Sequence, residues 1–167
     1  MNMETKVYVF HKVPETIDEF KALKEAQLQS PFDCVALTLL ALMQYEDHLD
    51  LAMDCLNFLK GPAPISPFEQ QFLKDRLFKK QYKVRSFFEG SSPENQYEPL
   101  LPYTLSVMAT EYSYPQENWA TLYVKSSGAD HLRSIKLRCK ASTGQWFLND
   151  IQCLSDIRLP QEIDPWV

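Results

Sequence analysis

The spacing of the hydrophobic residues changes near Tyr82, and that change limits the fold more than any other feature of the chain. From about residue 16 to residue 80, apolar side chains recur at helical spacing. From about residue 82 to residue 151, they alternate with polar residues in short runs bounded by turn residues, as in antiparallel strands. Helices first and strands afterwards are typical of the α+β class. We therefore predict three to four helices packed on an antiparallel meander sheet of four to five strands.

Capping residues predict where three of the helices begin. Thr16 is followed by Glu19 at the spacing of a capping box. Ser30 in SPFD and Ser66 in SPFE each precede a proline and then, at the third helical position, an acid. The serine oxygen accepts a free backbone N–H, proline needs no donor there, and the acid faces the positive end of the helix dipole. The fourth helix, over FEQQFLKDRLFKK, has Phe68 in its predicted inward set.

Five segments after the helices have the strand pattern, and the first of them is YKVRSFF (82–88). The segment KVYVF (6–10) is a candidate edge strand. The short connections at 126–130 and 142–144 predict that the last three strands form antiparallel hairpins.

The last of these strands, QWFLNDI, carries bulky residues on both faces. Alternation places Trp146 and Leu148 on one face and Phe147 and Ile151 on the other. We predict that helices cover one face and that the C-terminal tail, residues 152–167, covers part of the other. Prolines stiffen this tail, and we expect Trp166 to dock on the body. Residues 1–167 then form a single domain, with a helical part (16–80), a sheet part (82–151) and the docked tail.

Composition excludes several classes of function. The formal net charge of −5 argues against a nucleic-acid partner, which needs a basic surface. No apolar run approaches the length of a membrane span, and the N-terminus lacks the pattern of a secretory signal, so we expect a cytoplasmic protein. The four glycines are scattered, and a phosphate-binding loop needs them close together, so no nucleotide cofactor is expected.

Neither the cysteines nor the histidines form a recognisable site. Cys34, Cys55, Cys139 and Cys153 show no C-x-x-C spacing, and we interpret them as reduced structural residues. The acids around His48 are read as a helix start, with Asp47 as N-cap and Asp50 at the third position. We therefore predict no catalytic residues, no cofactor and no metal, although an enzymatic role stays open.

Two surface features are candidates for an interaction site. The connection YSYPQENW places Tyr112, Tyr114 and Trp119 at or beside a loop, and aromatic side chains are common at interfaces. The residues Lys136, Arg138 and Lys140 share one face of a strand and form a basic stripe that could bind an acidic partner. The alternatives are that the aromatic rings cap the sheet end and that the cations are solvated or paired with acids.

Several segments resemble a small bacterial family that is known only as a domain of unknown function. They are LNFLKGPAPISPFEQQFLKDRL, SPENQYEPLLPYTL, YSYPQENWATLYVKSSGADHLRSIKLRCKASTGQWFLND and LSDIRLPQEIDPW. The resemblance covers about two thirds of the chain in one order. It implies a bacterial, cytoplasmic, stand-alone or modular domain, and it brings no catalytic residues with it.

Two functions follow as hypotheses. The first is a non-enzymatic interaction module that binds a protein partner and is itself a monomer or a weak homodimer. The second is a small-molecule-binding α+β domain with a cavity between helices and a curved sheet, similar to nuclear-transport-factor-like (NTF2-like) or cystatin-like folds. A filled core with an exposed aromatic patch favours the first, and an apolar cavity lined by several polar groups favours the second.

Overall fold

The computed structural model describes residues 3–167 and contains five helices and five strands there. The helices are α1 (Ile17–Lys21), α2 (Pro31–Leu42), α3 (Leu49–Lys60), α4 (Pro67–Leu77) and α5 (Tyr82–Arg85). The strands are β1 (Glu4–Phe10), β2 (Tyr103–Ala109), β3 (Trp119–Val124), β4 (Arg133–Lys140) and β5 (Gln145–Ile151). Short 3-10 helices span Lys24–Gln27, Pro93–Asn95 and Gln161–Ile163. No helix among these combines the length and the apolar character that a membrane crossing requires.

The sheet is an antiparallel meander with strand order β1-β2-β3-β4-β5, so β1 and β5 are its two edges. This confirms the α+β class, the hairpins among the last three strands and the edge position of the KVYVF segment. The first strand nevertheless precedes all the helices in the chain, and its whole length pairs with β2.

The core lies between one face of the sheet and the helices, with α2 at its centre. Eleven of the twelve residues of α2 are buried, and the helix packs against β2, β3, β4 and β5. The inward residues of the strands alternate as expected, with Leu105, Val107, Leu122 and Leu137 fully enclosed. We call the opposite face, which carries Trp119 and Arg138, the outer face of the sheet.

The predicted helix starts at Thr16, Ser30 and Ser66 are confirmed as N-caps. Ser66 and Glu69 form a complete capping box, in which each side chain accepts the other residue's backbone N–H. The interpretation of Asp47 as an N-cap is wrong, because α3 begins at Leu49 and His48 occupies the cap position without a side-chain hydrogen bond. Phe68, predicted to point inward, is exposed on the first turn of α4.

Residues 82–88 do not form a strand, although the sequence pattern predicted one. The backbone bonds there are local: the N–H of Ser86 donates to the carbonyl of Tyr82 at 3.0 Å, as in a helical turn. Tyr82, Lys83 and Val84 are all buried, so the segment is enclosed on every side. An alternating pattern of seven residues is too short to distinguish this from a strand with one buried face.

A β-bulge changes the face on which Ile151 lies. Leu148 pairs with Leu137 and Ile151 pairs with Ile135, and the register shifts between those two pairs. The extra residue in β5 returns Ile151 to the buried face that Leu148 occupies, whereas strict alternation predicted opposite faces.

The C-terminal tail docks on the body, but Trp166 near its end does not. Cys153, Leu154 and Ile157 are buried, and the Tyr97 hydroxyl donates to the carbonyl of Arg158 at 2.6 Å. The prediction for Trp166 is wrong, because its side chain is 92% exposed. The apolar contacts of the tail therefore end before the last few residues.

Candidate functional site

One residue of the predicted aromatic connection, Trp119, lies beside the predicted basic stripe on the outer face of the sheet. Trp119 on β3 lies directly opposite Arg138 on β4, and Arg138 lies opposite Phe147 on β5. The Arg138 Cζ atom lies 5.0 Å from the centroid of the Trp119 ring, within the range of a cation–π contact. A guanidinium group thus lies in a row with two aromatic side chains.

Lys136 and Lys140 extend this row into the predicted basic stripe, and both are exposed. Within residues 3–167, none of the cations Lys136, Arg138 and Lys140 has a carboxylate oxygen within 4.0 Å. Lys136 lies across from Asp150 in the sheet, yet the two side chains form no ion pair. The stripe is therefore a local excess of positive charge on a chain whose net charge is −5.

A cleft of about 530 Å³ opens beside this row, and we call it the outer-face cleft. Its walls come from the segment that follows α3, from the turn before β3 and from the ends of β4 and β5. The lining residues are Lys60, Pro62, Ala63, Glu117, Asn118, Trp119, Arg138, Cys139, Lys140, Ala141, Phe147, Leu148 and Asn149. Aromatic, aliphatic and cationic groups line it together with one acid, Glu117, so cations outnumber acids, and the composition suits an anionic ligand with an apolar part.

Two backbone turns bring these walls together. Gly61 ends α3 at a φ of 64°, and a Cβ atom built on it would lie 2.4 Å from the Phe147 ring. Only glycine allows this close approach between the helix end and β5. On the other side, Asn118 adopts a φ of 65°, and its carbonyl accepts the N–H of Cys139 at 2.9 Å, which holds the start of β3 against β4.

Lys60, the last residue of α3, lines the cleft, and no sequence pattern predicted it as part of a site. Its side chain is 8% exposed, and its Nζ donates to Glu69 Oε2 at 2.6 Å and to the Asn149 carbonyl at 3.0 Å. Burial alone would raise the pKa of Glu69. The hydrogen bonds from Lys60 and Ser66, together with the Lys60 charge, outweigh burial and lower that pKa below its usual value of 4.5. No sequence pattern links Lys60 to Asn149, because the contact spans the whole fold.

Lys60, Leu148 and Asn149 also line a smaller, neighbouring pocket of about 200 Å³. Phe68 and Phe72 of α4 line this pocket, together with the bulged part of β5. The exposed ring of Phe68 thus forms one wall of the pocket, and the rest of the ring faces solvent.

Tyr112 and Tyr114, the other two predicted aromatic residues, lie in the loop between β2 and β3 and do not line the cleft. The loop is anchored through the buried residue between them: the Ser113 carbonyl accepts the N–H of Thr121 at 2.7 Å, and the Ser113 Oγ accepts the N–H of Thr110 at 2.8 Å. Both tyrosines are exposed as a result. The structure thus groups Trp119 with the basic stripe and leaves Tyr112 and Tyr114 on a separate loop surface.

The described residues offer no arrangement of three or more His, Cys, Asp or Glu side chains that could hold a metal ion. His48, around which the acidic residues cluster in sequence, is a helix cap, and Asp50 lies within the helix that follows it. The four cysteines are free, and burial raises the pKa values of the Cys55 and Cys153 thiols to about 12.

Comparison with known proteins gives one match. A family model described as a domain of unknown function (DUF6935) matches residues 12–161, which is most of the chain. No curated protein and no solved structure matches the sequence.

Proposed function

We propose, from the premise that the chain belongs to this family of unknown function, that it is a non-enzymatic interaction module. Its partner would be a protein with an acidic segment that carries an apolar or aromatic residue. The contact surface would be the outer face of β3, β4 and β5, with the outer-face cleft at its centre. The family resemblance in the sequence supports a bacterial, cytoplasmic setting for this role.

The surroundings of the Arg138 guanidinium group are the main support for this proposal. Its guanidinium carbon lies 5.0 Å from the centroid of the Trp119 ring, and the group has no carboxylate partner within the described residues. A cation–π contact restricts the motion of the side chain, so less entropy is lost when the guanidinium group binds a carboxylate. The flanking Lys136 and Lys140 add positive potential, which favours association with an acidic segment.

The interior of the domain supports this reading over the small-molecule alternative. A ligand cavity between helices and sheet would need space that is filled here by Leu37, Leu40, Leu105 and Leu122. The concave space associated with functional side chains lies instead at the surface, against the outer face. A surface cleft with a polar rim and aromatic walls is typical of protein interfaces.

The test compares partners captured from the native cell by the wild-type protein and by two charge-reversal variants. Arg138→Glu should lower the affinity for a specific partner by about 2 kcal/mol, roughly 30-fold, because it removes the stacked cation at the centre of the surface. Lys125→Glu is the matched control, since Lys125 is an exposed cation just beyond the opposite end of β3.

Trp119→Ala and Tyr114→Ala then separate the two aromatic surfaces. Loss of the partner with Trp119→Ala, but not with Tyr114→Ala, is expected if the cleft is the binding site. Equal retention of every partner by Arg138→Glu and Lys125→Glu would refute the proposal. Both variants change exposed side chains, so circular dichroism should show that the fold is intact.

A further inference from the structure

β1 is an open edge of the sheet. Its seven residues, Glu4–Phe10, pair with β2 on one side. Within the described residues 3–167, their N–H and C=O groups make no backbone hydrogen bond outside this pairing. In an antiparallel pair, alternate residues direct these groups away from the partner strand. A row of backbone donors and acceptors is therefore free to pair with another extended chain.

A second cleft, of about 710 Å³, runs along this edge, and we call it the β1 groove. One wall is β1 itself, from Lys6 to Val9. The other wall is the 3-10 helix Lys24–Gln27 and the first turn of α2, where Asp33 lies. The groove thus borders the strand along the direction in which an added strand would lie.

The groove contains a buried carboxylate, that of Glu25, one oxygen of which has no hydrogen-bond partner among the described residues. Glu25 is 8% exposed, and its Oε2 atom is enclosed and accepts no hydrogen bond from any described residue. Asp33 lies nearby and accepts the Tyr8 hydroxyl at 2.6 Å. Burial, then the hydrogen bond and charge of Asp33, and then the charge of Glu25 raise the pKa of Tyr8. Tyr8 therefore remains a neutral donor between two acids.

The cations that line the groove do not neutralise these acids. Lys6 places its Nζ 4.9 Å from the centroid of the Phe32 ring, and Lys24 is exposed. Neither lysine forms an ion pair with Glu25 or Asp33 within 4.0 Å. A buried carboxylate is costly unless it is paired, so a cation from outside the chain that contacts the part of Glu25 lining the groove would stabilise it.

We propose that the β1 groove binds an extended segment of a partner protein, which adds to the sheet as a strand beside β1 and carries a Lys or Arg that reaches Glu25. Side chains of an added strand alternate between the two faces. On the outer face its neighbours are the exposed Val7 and Val9, which favour apolar residues. On the inner face its neighbours are Lys6, Tyr8 and the acids. The segment is therefore expected to alternate apolar and polar residues, with a basic residue on the inward side.

A second copy of this chain is a poorer occupant of the groove. Each copy carries a net charge of −5, so association of two copies is opposed by repulsion. A basic segment gains from the same charge. This site is separate from the outer-face cleft, and its failure or success does not depend on the function proposed for that cleft.

The test uses a labelled, end-blocked peptide of about nine residues, in which threonine and valine alternate and the central residue is lysine. Titration with the full chain gives the Kd, and hydrogen–deuterium exchange locates the contact. Binding should slow amide exchange in residues 4–10. A peptide with glutamate in place of the central lysine should bind about 10-fold more weakly, because it places a third acid against two others.

The variant Glu25→Gln should also weaken binding of the lysine peptide about 10-fold. Glu98→Gln is the matched control, since Glu98 is exposed and its carboxylate has no described partner. Three results would each overturn the proposal: no binding at about 1 mM peptide, equal affinity for both peptides, or slowed exchange that excludes β1. Protection of β1 that rises with protein concentration alone would assign the groove to a second copy, and would overturn it too.

Discussion

The two edges of the sheet, β5 and β1, differ in the contacts that the rest of the described chain makes with them. At β5, the N–H of Trp146 donates to the Leu28 carbonyl at 2.8 Å, and the Asn149 carbonyl accepts from Lys60. The end of α3 at Gly61 also closes over the Phe147 ring. At β1, no described residue outside β2 bonds to the strand backbone. One edge is closed by the helical part of the chain, and the other is left open.

Within the described residues, the fold covers the β5 edge and leaves the backbone groups of the β1 edge unpaired. Exposed edge strands promote association with other chains, and charged side chains on the strand reduce that hazard. β1 carries Glu4 and Lys6, which fit this role, while Val7 and Val9 remain exposed. Within residues 3–167, the open edge lies beside a buried carboxylate oxygen that accepts no hydrogen bond, which is the combination that the proposed pairing at β1 requires.

Among the contacts that close the β5 edge, we expect the contact at Gly61 to contribute most to the free energy of unfolding. We expect Gly61→Ala to reduce the free energy of unfolding by about 4 kcal/mol, because the methyl group meets the Phe147 ring in a backbone conformation that alanine disfavours. Urea unfolding measures the loss. Gly144→Ala is the control, since Gly144 has a φ of 74° but nothing within 4 Å of the added atom, and should lose only about 1 kcal/mol. Equal losses would show that β5 does not pack tightly on the helix end.

Lys60 provides the second test of the closed edge. Lys60→Met should destabilise the fold by about 3 kcal/mol, because Glu69 and the Asn149 carbonyl both lose a buried donor. Lys74→Met, at an exposed position on α4, should change stability by less than about 0.5 kcal/mol. A loss as small as that of the control would mean that the ion pair contributes nothing to closing the edge.

The Lys60 effect should also depend on pH, with a sign that follows from Glu69. The folded-state pKa of Glu69 is lowered, so the stability it contributes is present above its usual pKa of 4.5 and is lost as pH falls through the folded pKa. The gap in unfolding free energy between wild type and Lys60→Met should therefore narrow between pH 7 and pH 3, and only by a small part of its value, because the Glu69 side chain is 36% exposed and solvent screens its charge. A gap that stays constant with pH would argue that packing of the lysine stem, and not its charge, closes the edge.

At the open edge we expect a small effect of the opposite sign. Glu25→Gln should raise the free energy of unfolding by up to about 1 kcal/mol, because it removes a buried carboxylate that has no partner within residues 3–167. Thermal unfolding measures the change, with Glu98→Gln as the unaffected reference. A stability loss would show that the carboxylate already has a favourable environment, and it would weaken the contrast between the two edges.

Local signals in the sequence determined much of the architecture. Thr16, Ser30 and Ser66 cap helices because the chemistry of a cap involves only the next three residues. The hairpins among β3, β4 and β5 follow from alternation and short turns, and the class follows from the order of those patterns. The basic stripe on β4 was likewise predictable, because side chains two residues apart share a face of a strand.

Tertiary structure decided what depends on residues far apart in the chain. The bulge that turns Ile151 inward, the enclosure of residues 82–88 and the contact of Lys60 with Asn149 all arise from packing between distant segments. Trp166 has a large apolar side chain, but the side chain does not pack on the body of the domain and its ring stays in solvent. The contact between Trp119 and Arg138 and the contrast between the two sheet edges also depend on residues far apart in the chain. Strand pairing and helix placement set them, because alternation in a regular strand indicates which side chains share a face and not what lies opposite that face.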